Sequence, residues 1–273
     1  LLGPYEYGAP ACYVDGPSDD SEYELFQEDL DRLEPHIEAA IARVPAFVEV
    51  GVKMVYNGAI AYTPDGSPII GPAWDKKNFW LNEGHSFGVT ASGGAGLQLA
   101  QWIVEGVPSI DMMGVDPRRF GPYATKSYLK TKNEEAYANV FTVHYPDEER
   151  AAARPLRTTP IYERLKALCA VFGQKYVWDR PNWYAPPGEE PKDVWSFRRS
   201  NYFQHVGNEA RNVQENAGLL DMSAFAKIMV SGPGAEAWLD YLLANILPKK
   251  IGRIGLCQAL EITVGLDLCG ADI

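Results

Sequence analysis

Cysteine and histidine are scarce in this chain, and neither is grouped. The four cysteines, Cys12, Cys169, Cys257 and Cys269, form no CxxC or CxxH spacing, which argues against a zinc site or a thioredoxin-type redox pair. Scattered thiols fit a reducing, cytosol-like compartment. The four histidines, His36, His85, His144 and His205, stand alone, so no metal-ligand cluster is expected. Basic residues are few: 25 Lys and Arg against 36 Asp and Glu give a formal charge of -11. A nucleic-acid surface needs clustered cations, which this composition does not offer. No apolar run approaches the length that crosses a bilayer. No charged-then-apolar leader is visible, and no GxGxxG loop occurs. The chain opens on LLGPYEYG without an initiator methionine, so a missing start is expected and targeting is not legible.

What remains is a globular composition. The chain has 273 residues, 46% of them hydrophobic, which suits one large or two medium domains. Its excess of acid is local. Between Ser18 and Val44, Asp19, Asp20, Glu22, Glu24, Glu28, Asp29, Asp31, Glu34 and Glu38 face only Arg32 and Arg43. That pattern reads as a solvated face.

The most informative stretch is Glu83 to Gly106, EGHSFGVTASGGAGLQLAQWIVEG. It reads as a glycine-broken loop running into a helix from Leu97, with Leu97, Ala100, Ile103 and Val104 as its apolar stripe and Leu99 and Trp102 beside it. Gly106 and Pro108 stop it. Gly84, Gly88, Gly93, Gly94 and Gly96 let the backbone approach something flat or bulky. A helix start carries unpaired N–H groups and partial positive charge, so it can receive a phosphate or an electron-rich ring oxygen. The competing reading is close packing of a helix against a strand.

Before that stretch, a short strand is expected at Ala11 to Val14. A helix capped by Ser18 or Asp19 follows, carrying Leu25, Leu30, Leu33, Ile37, Ile41 and Val44, interrupted at Pro35 and ended by Pro45. Val48 to Tyr56 alternates as a strand does. Pro64-Asp65-Gly66 is a turn, Ile69-Ile70 a short buried strand, and Asn78 to Asn82 another. A strand, a glycine-rich loop and a helix start are a recurrent nucleotide-site arrangement.

Downstream, DPRRFGPY is turn-forming, and Lys126 to Val140 and Tyr162 to Phe172 read as helices. The aromatic, proline-rich Trp178 to Pro191 is expected to pack on a domain surface with its tryptophans as anchors. Glu209 to Ala217 reads as helix, Gly218 to Ser231 as a strand pair, and Ala235 to Leu247 as a strong amphipathic helix. Lys249, Lys250 and Arg253 follow as a complement to its dipole, with anion binding as the alternative.

The ordered blocks YTPDGSPIIGP, NFWLNEGHSFGVTASGGAGLQLAQWIVEG, DPRRFGPY, RTTPIYERL, RPNWYAPPG, SFRRSNYFQHVGNEARNVQENAGLLDMSAFAKIMVSG and AEAWLDYLLAN resemble the dimethylglycine and sarcosine dehydrogenase family. Those are flavoproteins of the D-amino-acid-oxidase type fused to a folate domain like the glycine cleavage T-protein. The resemblance covers about residues 1–257 and implies an α+β fold. Residues 1–120 would be the C-terminal part of the FAD domain, 121–192 a linking domain and 193–273 the start of the folate domain. The family's Rossmann unit with its GxGxxG loop would be absent.

The resemblance implies FAD and tetrahydrofolate as cofactors. It implies oxidation of an N-methylated glycine and capture of its carbon by folate. It also implies a mitochondrial matrix location in a eukaryote and a cytoplasmic one otherwise. Ile70 and Gly71 would pack near the flavin. Gly84, Ser86, Phe87, Gly88, Val89 and Thr90 would line its pyrimidine edge, and the helix after Gly93-Gly94 would aim its positive end at N1 and O2. No catalytic residue is assigned. His85 is either a base or a loop histidine bonded to backbone, and Tyr5, Tyr7 and Tyr56 are open as substrate-facing groups. Asp221 and Ser223 match a DxS pattern at the start of the folate domain, read as a structural turn in preference to a folate contact. The tail QALEITVGLDLCGADI departs from the family, so a frame slip or truncation after Cys257 is expected, and Asp267 and Asp272 inherit no folate role. With part of the cradle missing and its apolar contacts exposed, the isolated chain is expected neither to hold FAD tightly nor to turn over. Alternatives are a methylamine oxidase acting on a methylaminobutanoate, and a flavin- or folate-binding module without chemistry.

Overall fold

The computed structural model describes residues 1–257 and is a mixed helix and sheet structure. It divides into two compact units, Leu1–Ala224 and Phe225–Ile273.

The first unit begins without regular structure, and among the described residues no strand forms at 11–14. The first helix, α1 (Leu30–Arg43), starts well after the expected cap. Asp29 is the N-cap, accepting the Arg32 backbone N–H at 3.1 Å. This is the ordinary cap chemistry of a short carboxylate. Asp31 in the first turn and Arg43 in the last complement the dipole, and Pro35 lies inside. No side chain of α1 is buried. A 3-10 turn, Pro45–Val48, ends it. The strand expected at 48–56 does not form: no ladder is assigned there, and Val50, Val52, Met54 and Tyr56 are exposed. Alternation favours an extended chain, but a strand exists only with a partner.

The expected pair of short strands is present. Strand β1 (Ile69–Pro72) runs antiparallel to β2 (Trp80–Glu83), with Ile69 opposite Glu83 and Pro72 opposite Trp80. Ile70 is buried and anchors a cluster with Ala95, Trp102 and Met112, flanked by Trp80, Leu99 and Val115. Ala95 and Trp102 belong to α2 (Gly88–Glu105).

That helix corrects the sequence reading twice. It begins at Gly88, so Gly93, Gly94 and Gly96 are helical rather than loop, with nothing within 4 Å of an added Cβ. Each internal glycine costs a helix roughly 0.5–1 kcal/mol relative to alanine. Packing of Ala95, Leu99 and Trp102 offsets that cost, since helices of this length are held mainly by tertiary contacts. The inward face is therefore Ala95, Leu99 and Trp102, while Leu97, Ile103 and Val104 face outward. The end agrees with expectation: Gly106 is left-handed at φ 82° and donates its N–H to the Trp102 carbonyl.

Helix α3 (Lys126–Ala138) is capped by Thr125, which accepts the Tyr128 N–H. Its Lys132 and Glu135 pair at 2.8 Å, and Glu135 also accepts the N–H groups of Ala151 and Ala152. A two-residue strand β3 (Arg157–Thr158) leads to α4 (Tyr162–Ala167). The helix stops earlier than expected because Cys169 takes a left-handed φ of 61°. The chain then becomes β4 (Ala170–Lys175), followed by β5 (Trp178–Tyr184). Strand β5 is central, parallel to β3 and antiparallel to β4. Trp183, 1% exposed, is the anchor expected of this aromatic stretch. It packs with Val171 and Ala185, and its indole N–H donates to Asp193 at 2.8 Å. Helix α5 (Phe203–Glu215) lays His205 flat on Trp183 at 5.4 Å between ring centroids.

Among the described residues no strand pair forms at 218–231, a stretch that runs from the end of the first unit into the second. Helix α6 (Ala235–Leu242) follows the Gly232 turn and buries Leu242. It ends before the expected Leu247, so Lys249, Lys250 and Arg253 do not cap its last turn, and all three are exposed. Asp267, Asp272, Cys269 and the whole off-pattern tail lie outside the described residues.

Candidate functional site

Two turns hold the β1–β2 pair in place. At the Pro64-Asp65-Gly66 turn, Thr63 donates its hydroxyl to the Ser67 carbonyl at 2.7 Å, and the Asp65 carboxylate accepts the Ser67 N–H at 3.0 Å. At the Asp116–Phe120 turn, Asp116 caps a 3-10 helix by accepting the Arg118 N–H. Arg119, 12% exposed on its side chain, ties the two turns together. It forks onto both Asp65 oxygens at 2.7 and 3.0 Å and reaches the Ser67 carbonyl at 2.9 Å. Paired donors on a planar guanidinium fix orientation as well as distance. Trp74 adds an indole bond to the Pro117 carbonyl.

Ile70 and Gly71 sit behind this clasp, inside the packed core. The Ile70 N–H donates to Val115 at 2.8 Å. Gly71 has a φ of 142°, and a Cβ there would lie 3.0 Å from Trp102 and 3.1 Å from Pro117.

Gly84, Ser86, Phe87, Gly88, Val89 and Thr90 gather at the start of α2. Gly84 turns the chain at φ 72°, where a Cβ would press to 2.9 Å from the Thr63 methyl. His85 bonds through Nε2 to the Asn82 side chain at 2.8 Å, so it is held by a side chain and not by backbone. Phe87 is the N-cap residue, and no side chain caps the helix. Its first turn carries no acid. The positive end of the dipole therefore lies at Gly88 and not after Gly93-Gly94. Beside it, His85 Nδ1 and Ser86 Oγ are buried and have no hydrogen-bond partner. Buried polar atoms left so are uncommon and cost about 1–3 kcal/mol each. Val89 and Thr90 are exposed on the first turn.

Phe87 also begins an aromatic cluster that was not legible in the sequence. Tyr5 lies nearly parallel to it at 6.1 Å, and Phe141 stands at 77° to it, also at 6.1 Å. Phe141 meets Tyr5 edge-on at 5.0 Å, and Tyr137 lies 4.9 Å from Tyr5. The Tyr137 hydroxyl donates to Glu6 at 2.7 Å, and Arg32 lies 3.4 Å from the same carboxylate. Burial, with Glu6 beside it, pushes the Tyr137 phenol well above the ordinary tyrosine range. Tyr7 and Tyr56 are exposed.

Asp221 behaves as a turn residue. It accepts the Ser223 N–H at 2.9 Å and the Thr159 hydroxyl at 2.6 Å. Among the described residues no group of three or more His, Cys, Asp or Glu could hold a metal, and no helix is long and apolar enough to cross a membrane.

Three family models match the chain in order. They are FAD dependent oxidoreductase over residues 3–102, FAD dependent oxidoreductase central domain over 105–159, and GCVT N-terminal domain over 161–265. The chain is 38% identical to mitochondrial dimethylglycine dehydrogenase of Mus musculus over 227 residues, covering 83% of this chain and 26% of that protein. It is 32% identical to 4-methylaminobutanoate oxidase (formaldehyde-forming) of Paenarthrobacter nicotinovorans over 238 residues, 86% of this chain and 29% of that one. It is 30% identical to human mitochondrial sarcosine dehydrogenase over 273 aligned residues, 90% of this chain and 30% of that one. The chain thus spans between a quarter and a third of the length of these relatives.

Proposed function

We propose that this chain, which belongs to the dimethylglycine and sarcosine dehydrogenase family, is part of a flavoenzyme that demethylates an N-methylated glycine and passes the one-carbon unit to tetrahydrofolate. Under this reading residues 1–120 belong to the FAD domain, 121–192 to the linking domain and 193–273 to the folate domain. A matrix location in a eukaryote follows from the mitochondrial relatives. The observation that carries the flavin assignment is the start of α2: a helix end without a side-chain cap, with Ser86 Oγ and His85 Nδ1 buried and unpartnered beside it. These residues fit a polar, electron-rich ring edge, because such an edge supplies what both orphaned atoms lack.

The flavin, when bound, supplies the two-electron oxidation of the N–CH3 carbon. The rest is done by the chain. The free N–H groups of the first turn at Gly88 and Val89 direct positive potential at the ring edge where negative charge develops on reduction. Because those dipoles are fixed by the backbone, they need no reorganisation during the reaction. Ser86 Oγ would serve the same edge as a hydrogen-bond donor. Gly84 permits the left-handed turn, packed against Thr63, that brings the chain to the helix start, and Phe87 would exclude water on one side. Ile70 and Gly71 act from behind, setting the height of the β1–β2 pair against Trp102.

The test is turnover by the gene's complete product. Dimethylglycine, sarcosine and 4-methylaminobutanoate are each supplied with an artificial electron acceptor, with formaldehyde measured with and without tetrahydrofolate. The reading expects substrate-dependent acceptor reduction and a fall in free formaldehyde when folate is present. Failure of every one of these N-methyl amino acids to bleach the flavin overturns it.

A further inference from the structure

His85 Nδ1 and Ser86 Oγ, both buried and unpartnered beside the start of α2, lack different things. A hydroxyl can donate or accept, but an imidazole nitrogen does only what its tautomer allows. The tautomer of His85 is set by Asn82. The Asn82 amide oxygen faces Nε2 at 2.8 Å, and an oxygen only accepts, so Nε2 carries the ring proton. Nδ1 is then left with a lone pair and no donor to meet it. Asn82 is held where it can do this. It lies on β2 opposite Ile70, which is 3% exposed, so the ladder fixes its backbone. Gly84, left-handed at φ 72°, turns the chain so that His85 returns to Asn82, three residues back. His85 also lies against the helix end, since a Cβ on Gly88 would be 3.6 Å from the His85 Cβ.

The start of α2 therefore offers an unlike set: N–H donors of the first turn and, beside them, one lone pair that only a donor can meet. That set selects among ligands. A phosphate suits a bare helix end. It presents acceptor oxygens, however, and one turned to His85 would meet a lone pair with a lone pair. A ring edge in which an N–H stands between two carbonyls meets both kinds of group. We propose that Asn82 is a positioning residue, holding the His85 Nδ1 lone pair toward the cofactor so that this helix end reads the carbonyl–NH–carbonyl edge of the flavin and rejects a phosphate. This role rests on the flavin assignment above. It adds the side chain that tells the ring edge from other acceptors, and the residue that sets that side chain.

Two measurements test it. The 273-residue chain is labelled with ¹⁵N-histidine, and its ring nitrogens are read by long-range ¹⁵N–¹H correlation at about pH 8, above the ordinary histidine range. His85→Ala identifies the signal. The expected result is the Nε2–H tautomer for His85 in the parent and a mixture in Asn82→Leu, which keeps the fold because Asn82 is exposed. An Nδ1–H tautomer in the parent, as an amide turned the other way would give, or a tautomer unmoved by Asn82→Leu, overturns the role. The complete gene product, made as apo-protein under riboflavin starvation, is then loaded with FAD or with FAD methylated at the ring N3, which lacks the edge N–H. The parent should prefer FAD by about fiftyfold, because the methyl leaves the lone pair unmet. His85→Ala removes the lone pair and should bring the preference to about fivefold or less, with Asn82→Leu between the two. Equal loading of both cofactors by the parent, or a preference that His85→Ala leaves unchanged, sinks the proposal. Turnover is scored separately. An active enzyme that takes both cofactors alike refutes the role of His85 and leaves the flavin assignment standing, whereas a protein that loads neither refutes that assignment and this role with it.

Discussion

Adding one methyl group at Gly71 and another at Gly93 should move stability in opposite directions. Gly71 has a φ of 142°, a region that side chains rarely enter, and a Cβ there meets Trp102 at 3.0 and 3.2 Å and Pro117 at 3.1 Å. Backbone strain costs roughly 1–3 kcal/mol. Overpacking against a buried ring costs about 1–3 kcal/mol more. Gly71→Ala is therefore expected to destabilise the first unit by about 2–6 kcal/mol, a large part of a typical folding free energy. Gly93 lies inside α2 with nothing within 4 Å of an added Cβ. Gly93→Ala should stabilise by about 0.5–1 kcal/mol. Urea unfolding followed by tryptophan fluorescence reports both, because Trp80 and Trp102 lie in the affected core, 5.9 Å apart. A Gly71→Ala variant within about 0.5 kcal/mol of the parent would refute the account of β1 seated on Trp102. A Gly93→Ala variant that unfolds earlier would refute the helical placement of the glycine run.

Removing the clasp between the two turns should free the β1–β2 pair. Arg119→Ala is expected to cost about 1–3 kcal/mol and to raise hydrogen exchange across residues 64–71, whereas unchanged exchange there would sink the idea. Burial pushes the Asp193 carboxyl up, against the lowering effect of the Trp183 indole bond, so its folded pKa is raised. A raised acid favours the fold at low pH, and that contribution is lost as pH rises through the folded pKa. Asp193→Asn keeps the indole acceptor and should melt higher than the parent at pH 7, while Asp193→Leu strands the indole N–H at a cost of about 1–3 kcal/mol. Equal melting of the two variants would contradict this. Glu135 has the opposite sign. Burial raises its pKa, but Lys132 and the Ala151 and Ala152 amides outweigh it and the net pKa is lowered. Its contribution is present above the unfolded carboxylate pKa, about 4.3, and is lost as pH falls through the folded value. The melting temperature of Glu135→Gln should accordingly fall less between pH 7 and pH 3 than that of the parent.

Local chemistry alone determined the features closed within a few residues. The Pro64-Asp65-Gly66 turn, the short strands at Ile69 and Trp80, the α3 helix and the Gly106 stop are written in turn residues, β-branched or aromatic side chains and caps, and each appears as expected. The same holds for Gly84 to Thr90, which gather at the start of α2 because they are consecutive. Tertiary structure decided what depends on a partner. Apolar residues surround α2 on several sides, and only the core shows that Ala95, Leu99 and Trp102 face inward while Leu97 and Ile103 do not. Residues 48–56 alternate like a strand, but no ladder is assigned to them, and pairing is not a property of the segment. Tyr5, Phe87 and Phe141 meet in one cluster from distant positions. Spacing along the chain carries no record of that meeting, because closing so long a loop constrains only its ends.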